Sequence, residues 1–84
     1  MKLYTIFDKD AEEHNERLIT TVNDAVAKRI LKTSMAQDKA LMINAKNYEL
    51  IYLGLFDKET GTITPERRHV CELQELKDEM STDE

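Results

Sequence analysis

A block of basic side chains in the middle of the chain could bind phosphate groups. Residues 25–47 contain five bases and a single acid, Asp38, whereas the segments before and after this block are acidic. The five bases are Lys28, Arg29, Lys32, Lys39 and Lys46. The first three fall on one side of a helix if residues 25–35 are helical, and cations arranged in this way attract an anionic partner such as DNA. We add Arg67 and Arg68 to this candidate nucleic-acid-binding set.

Three tyrosines could supply stacking surfaces for nucleic-acid bases. Tyr4 lies in the first apolar segment, and Tyr48 and Tyr52 lie in the longest one. Aromatic rings bind single-stranded bases when they face solvent, but in a central strand they more often belong to the core. The formal net charge is −5, whereas dedicated DNA-binding domains are usually basic. Residue chemistry alone therefore leaves two alternatives open: direct binding of single-stranded DNA, or a module that binds a protein without touching DNA.

Other kinds of site have little support in the sequence. The histidines are His14 and His69, the one cysteine is Cys71, and His69 and Cys71 would share a face if both lie in a regular strand. A zinc site needs three or four converging ligands, so we expect no metal site. No spacing matches a nucleophile–base pair or a glycine-rich phosphate loop, so we expect neither an enzyme nor a cofactor. One cysteine also excludes a disulfide within these residues.

The elements that would position these residues follow from hydrophobic patterning. Lys2–Asp8 alternates apolar and polar residues, which predicts a strand, and Arg17–Thr21 predicts a second strand that returns beside it. Asn23 is a suitable N-cap for a helix over Ala25–Met35, which is rich in helix-forming residues. The following segment, Gln37–Lys46, is either a further helical turn or part of an ordered loop.

The second half of the chain predicts a hairpin. Tyr48–Phe56 is apolar on both faces, and a turn closed by Gly61 leads to a short return strand at Thr62–Thr64, which Pro65 ends. Beyond this proline, the pattern fits either an edge strand around His69–Cys71 or a short amphipathic helix. The apolar positions of that helix would be Val70, Leu73, Leu76 and Met80.

Together these elements predict one α+β domain over residues 1–80 and a frayed acidic tail over residues 81–84. We expect an antiparallel sheet of four to five strands in two hairpins, with one main helix across it and a short C-terminal helix as the open alternative. One helix cannot cover both faces of this sheet. We therefore expect either a homodimer or docking of the C-terminal apolar stripe on the uncovered face. No segment has the apolar length needed to cross a membrane.

Several stretches of the chain, read in order, resemble a known family. They are Lys2–Asp8, Asn23–Arg29, Asn47–Asp57, Glu59–Gly61, Ile63–Pro65 and Arg68–Cys71. This arrangement is similar to the small non-structural protein of gokushovirus-type microviruses, which are single-stranded DNA bacteriophages. The strand and turn from Tyr52 to Gly61 form the most specific part of the resemblance, which covers residues 2–71.

The resemblance implies a non-catalytic protein that binds DNA and favours synthesis or packaging of single-stranded progeny genomes. It also implies the cytoplasm of the bacterial host as the location, and a phage or host replication protein as a further partner. It supplies no catalytic motif to carry over, and the basic residues named above are inferred from their chemistry. The alternative is a protein-interaction module that contacts a replication or capsid protein without touching DNA.

Overall fold

Apolar strands from both halves of the chain come together in one antiparallel sheet. The computed structural model describes residues 1–81. The strands are β1 (Lys2–Asp8), β2 (Glu13–His14), β3 (Ile19–Thr21), β4 (Tyr48–Phe56) and β5 (Ile63–Glu72). The helices are α1 (Asp24–Gln37), α2 (Lys39–Ile43) and α3 (Leu73–Ser81), with a 3₁₀ turn at Ala45–Asn47. The predicted α+β class, antiparallel sheet and C-terminal helix are confirmed.

The long apolar strand β4 lies in the middle of the sheet. It pairs with β1 on one side and β5 on the other, and the far side of β1 pairs with β2 and β3. Between β1 and β4, Ile6 lies opposite Leu50, and Thr5 lies opposite Ile51. Because side chains alternate along a strand, the first pair faces one side of the sheet and the second pair faces the other.

Helix α1 begins where the sequence predicts because Asn23 caps it. The Asn23 side-chain oxygen accepts a hydrogen bond from the Val26 amide at 2.9 Å, and Asp24 lies in the first turn at the positive end of the helix dipole. The buried residues of α1, spaced four apart, are Ala27, Leu31 and Met35. This spacing places them on one face, which holds the helix against the sheet.

The segment that the sequence left undecided forms the short helix α2 and the 3₁₀ turn. Asp38 caps α2, since its Oδ1 accepts hydrogen bonds from the amides of Ala40 and Leu41 at 3.0 and 3.4 Å. Leu41 and Met42 are partly buried and pack against the core. Both alternatives, a helical turn and an ordered connection, are therefore partly realised.

Strand β5 is much longer than the predicted return strand over Thr62–Thr64, and the expectation that Pro65 ends it is wrong. This proline lies opposite Gly54 in an edge strand, where a residue without an N–H is tolerated. A Cβ atom at Gly54 would lie 2.2 Å from the Thr64 carbonyl oxygen, so glycine is needed for the two strands to pass this closely. The strand continues to Glu72, and α3 follows at once.

All three helices pack on the same face of the sheet, which we call the helix-covered face. The sheet contributes Tyr4, Leu50, Tyr52 and Cys71 to this core, α1 contributes its three buried residues, and α3 contributes Leu73 and Leu76. The rings of Tyr4 and Tyr52 meet edge to face with centroids 5.5 Å apart. The C-terminal stripe therefore docks beside α1, and the expectation that it covers the opposite face is wrong. Within residues 1–81, no helix covers the opposite face.

Three further expectations concern the chain as a whole. No helix within residues 1–81 combines the length and apolar character required to cross a membrane. The predicted frayed tail over residues 81–84 lies outside the described residues, except that α3 ends at Ser81. The predicted single domain over residues 1–80 stays a prediction.

Candidate nucleic-acid interface

The face of the sheet opposite the helices carries aromatic and charged side chains, and we call it the open face. We define it by Phe7, His14, Glu49, Ile51, Arg67 and His69. Strand register brings these residues together, because Phe7 lies opposite both His14 and Glu49, and Ile51 lies opposite His69. They therefore come from four strands, two in the first part of the chain and two in the second.

The Arg67 side chain runs across the open face from the edge strand β5. Its guanidinium carbon lies 5.6 Å from the centroid of the Phe7 ring, and its Nε donates a hydrogen bond to His14 Nε2 at 3.1 Å. The two rings lie 4.8 Å apart. Ile51, on the strand between Arg67 and Phe7, is only 1% exposed although it lies outside the helix-side core. The side chains of the open face therefore shield this isoleucine.

Arg67 is a cation without an acidic partner among residues 1–81. It is exposed, and the ion pairs of the described residues do not include it. His14 accepts the hydrogen bond from Arg67 through Nε2. An unpaired guanidinium beside aromatic rings can bind a phosphate and also stack against a base.

Arg68, the next residue, is held on the helix-covered face. Its Nη1 and Nη2 atoms donate to the two oxygens of Asp24 at 3.1 and 3.2 Å, and its guanidinium lies 4.5 Å from the Tyr52 ring centroid. The hydrogen bonds from Arg68 hold the pKa of Asp24 below its ordinary value. Arg68 thus joins β5 to the start of α1, and its role as a DNA contact stays a prediction.

The burial of two tyrosines corrects their prediction as stacking residues. Tyr4 is 0% exposed and Tyr52 is 3% exposed, because the helices cover the face on which they lie. Burial, together with a hydrogen bond from the hydroxyl to Asp24, raises the pKa of Tyr4 well above its ordinary value. Tyr48 is half-buried and packs against the same core. The first two rings offer no face to a base.

The basic side of α1 lies next to acidic residues of α3. Lys32 Nζ is 2.9 Å from Glu79 Oε1, and this hydrogen bond lowers the pKa of Glu79. Lys28 is half-buried and also interacts electrostatically with Glu79. Arg29 is exposed. The positive charge of the helix is therefore partly compensated, and DNA binding through α1 stays a prediction.

The seven predicted basic residues do not form one surface. Lys39 and Lys46 are exposed on α2 and on the 3₁₀ turn, which belong to the helix layer. Arg67 alone among the seven lies on the open face. The sequence patterns do not identify Phe7 or His14 as neighbours of Arg67. One signal is present in β1, where alternation of side chains places Phe7 and Tyr4, three residues apart, on opposite faces.

His69 and Cys71 lie on opposite faces, so the expectation that they share one is wrong. Cys71 pairs with Leu50 and His69 pairs with Ile51, and the extra residue between them on β5 makes a bulge. Burial raises the pKa of the Cys71 thiol to about 11, which leaves the thiol protonated at neutral pH. On the open face, His69 instead lies near two carboxylates and not near a thiol.

Comparison with known proteins places the chain in a phage family. Residues 1–76 match the family model described as Phage ORF5 protein. No curated protein and no solved structure matches the chain. The family match spans all five strands, so it includes both faces of the sheet. Because it covers well over half of the sequence, the chain belongs to the Phage ORF5 protein family.

Proposed function

We propose that this phage protein binds single-stranded DNA through the open face and assists viral genome replication without catalysing a reaction. The observation that supports this proposal most directly is the position of Arg67, whose exposed guanidinium has no acidic partner among the described residues and lies beside the Phe7 and His14 rings. The proposed role includes the switch to single-stranded progeny synthesis in a phage of the microvirus type. Its place of action is the cytoplasm of the bacterial host.

The physical argument for a single strand comes from the shape of the open face. A sheet surface free of helices accepts unpaired bases side by side, and each base gains about 1–3 kcal/mol from stacking on an aromatic ring. The Phe7 ring is half-buried and His14 is exposed. Bases in a duplex are already stacked on one another, so these rings have little to offer double-stranded DNA.

The net charge of −5 limits how strongly the protein can hold DNA. Few phosphates can be contacted by a face with one guanidinium, so binding should be weak at physiological salt. For single strands, the logarithm of the binding constant falls by about 0.7 per phosphate contacted for each tenfold increase in salt. We therefore expect a shallow salt dependence, with a slope that corresponds to one or two phosphate contacts.

The test compares two surface arginines that undergo the same change of charge. Fluorescence anisotropy of a labelled oligonucleotide at about 50 mM salt measures the affinity under conditions where electrostatic binding is strong. Arg67→Glu should weaken binding at least about tenfold, because it removes the cation and places an acid beside Phe7. Arg29→Glu on α1 should change the affinity much less. Circular dichroism checks that both variants remain folded.

Two results would decide against this proposal. If Arg29→Glu or the double variant Lys28→Glu with Lys32→Glu abolished binding and Arg67→Glu retained it, the DNA site would lie on α1. If the wild-type protein bound no oligonucleotide at tens of micromolar, direct DNA binding would be rejected. The second result would favour the protein-interaction module.

Exposed apolar side chains near the β4–β5 turn favour self-association as a second function. Leu55 is 46% exposed and Ile63 is 55% exposed, and β5 is an edge strand with a free side for pairing. A second copy of the chain could cover these residues in a homodimer. Light scattering of the wild-type protein and of Ile63→Lys tests this candidate, which predicts a dimer that the substitution converts to a monomer.

A further inference from the structure

Three side chains with metal-binding atoms converge at the end of the open face where β5 meets α3. They are Glu49 on β4 and His69 and Glu72 on β5, and one ligand atom from each lies within 4.8 Å of the other two. His69 Nδ1 is 2.9 Å from Glu49 Oε1 and 3.8 Å from Glu72 Oε2. The second Glu72 oxygen, Oε1, accepts a hydrogen bond from Lys9.

This cluster places two carboxylates directly opposite each other. Glu49 and Glu72 are cross-strand partners, and like charges in this position repel and destabilise a sheet. The two side chains are only 21% and 33% exposed, so water screens the repulsion incompletely. Lys9 and His69 supply the nearest compensating groups. A cation between the two carboxylates would compensate them more completely.

We infer that Glu49, His69 and Glu72 form a binding site for one divalent transition-metal ion of the Zn²⁺ type. Zn²⁺ binds imidazole nitrogen and carboxylate oxygen at about 2.0–2.2 Å, which requires ligand atoms about 3.4 Å apart in a tetrahedral arrangement. The observed separations bracket this distance. Imidazole disfavours Mg²⁺ and Ca²⁺, which prefer oxygen ligands alone.

A metal ion bound to His69 Nδ1, which lies 2.9 Å from Glu49 Oε1, would take the place of any proton on that nitrogen. In a neutral imidazole this proton leaves Nδ1 and a proton is taken up at Nε2 from solvent, and in an imidazolium it is released. Lys9 would stay on the outer oxygen of Glu72 and orient that carboxylate as an outer-shell partner. Three protein ligands leave a fourth position for water, and His69 is 48% exposed, so solvent reaches the site.

Calorimetric titration of Zn²⁺ into the metal-free, full-length protein tests the inference without DNA. The wild-type protein should bind one equivalent. Glu49→Gln and His69→Asn should each weaken binding at least about tenfold, since each removes a ligand. The matched controls are Glu66→Gln, which changes an exposed carboxylate on β5, and His14→Asn, which changes the other histidine of the open face. Both controls should keep wild-type affinity for Zn²⁺.

A second measurement keeps the inference testable if a ligand variant fails to fold. Nitrogen NMR of the histidine rings in the wild-type protein should show that Zn²⁺ shifts the Nδ1 resonance of His69 and leaves both nitrogens of His14 unchanged. Absence of saturable Zn²⁺ binding overturns the inference. So does equal loss of binding in the control variants, or a shift at His14 in place of His69.

Discussion

Two consecutive arginines show how differently the two faces of the sheet are used. Arg68 lies on the helix-covered face, where Asp24 neutralises it and the Tyr52 ring packs against it. Arg67 lies on the open face, without an acidic partner among residues 1–81, above Phe7. The face of the sheet on which a charged side chain lies, more than its sequence neighbours, therefore decides whether it stabilises the fold or remains available to a ligand.

The largest expected contrast is in stability, between the core beneath the helices and the exposed end of β4. Leu31→Ala on α1 removes a side chain that is 1% exposed and should lower the free energy of unfolding by about 2–5 kcal/mol. Leu55→Ala on β4 removes one that is 46% exposed and should cost less than about 1 kcal/mol. Urea denaturation measures both. Equal losses would mean that the exposed end of β4 is packed as tightly as the core beneath the helices.

The two arginines should differ in which property they affect. Arg67→Ala should weaken binding of a single-stranded oligonucleotide about tenfold and leave the stability nearly unchanged, because Arg67 and its hydrogen-bond partner His14 are both exposed. Arg68→Ala should lower the stability by about 1 kcal/mol, a value reduced from that of a buried ion pair because the side chain is 44% exposed. Fluorescence anisotropy measures the oligonucleotide affinity of each variant, and urea denaturation measures its free energy of unfolding. Loss of affinity in Arg68→Ala together with loss of stability in Arg67→Ala would contradict the assignment of the two arginines to their faces.

The Asp24 contact on the helix-covered face should make the stability depend on pH. The pKa of Asp24 is lowered, chiefly by hydrogen bonds from Arg68, so ionised Asp24 stabilises the fold above its ordinary pKa of about 3.9. This contribution is lost as the pH falls through the lowered folded-state pKa. Asp24→Asn should therefore be less stable than the wild-type protein at pH 7, by about 1 kcal/mol after allowance for solvent exposure, and the difference should shrink near pH 2.

Urea denaturation at the two pH values provides the measurement. Asp78→Asn, on the exposed side of α3, is the control and should show no comparable difference. A gap between Asp24→Asn and wild type that persisted unchanged to pH 2 would mean that the charge of Asp24 contributes nothing.

The smallest expected effect is that of Zn²⁺ on DNA binding, which depends on both proposals for the open face. Zn²⁺ bound by Glu49, His69 and Glu72 would cancel two negative charges near the proposed path of the DNA backbone. Oligonucleotide affinity of the wild-type protein should then rise about two- to fivefold on addition of Zn²⁺ and fall again with a chelator. His69→Asn should show no such change. Unchanged affinity in a wild-type protein that binds Zn²⁺ would mean that the two sites are independent.

The sequence was sufficient to predict the elements with strong local signals. The Asn23 cap, the apolar spacing of α1 and the continuous apolar run of β4 identify a helix and a central strand from local physics alone. The C-terminal region was ambiguous because a strand and a helix follow each other without a turn at Glu72. Pro65 misled the prediction because proline ends a central strand but not an edge strand.

The candidate sites depended on features that local patterns do not contain. The bulge in β5 places His69 and Cys71 on opposite faces, although their spacing in a regular strand would place them on the same one. Arg67 on β5 contacts Phe7 on β1 only because both strands pair with β4. Tyr4 and Tyr52 are buried because the helices pack against the face of the sheet on which these two side chains lie. Such relations are set by long-range register, which one sequence does not reveal.

The most direct test of the claim that the open face is the functional face is an NMR titration with an unlabelled single-stranded oligonucleotide. The side-chain Nε–H resonances of Arg67, Arg68 and Arg29 report on the open face, the helix-covered face and the outer side of α1. We predict a large shift for Arg67, together with shifts of the Phe7 and His14 rings, and small changes for the other two arginines. A shift confined to Arg29, with Arg67 unchanged at saturation, would contradict the account.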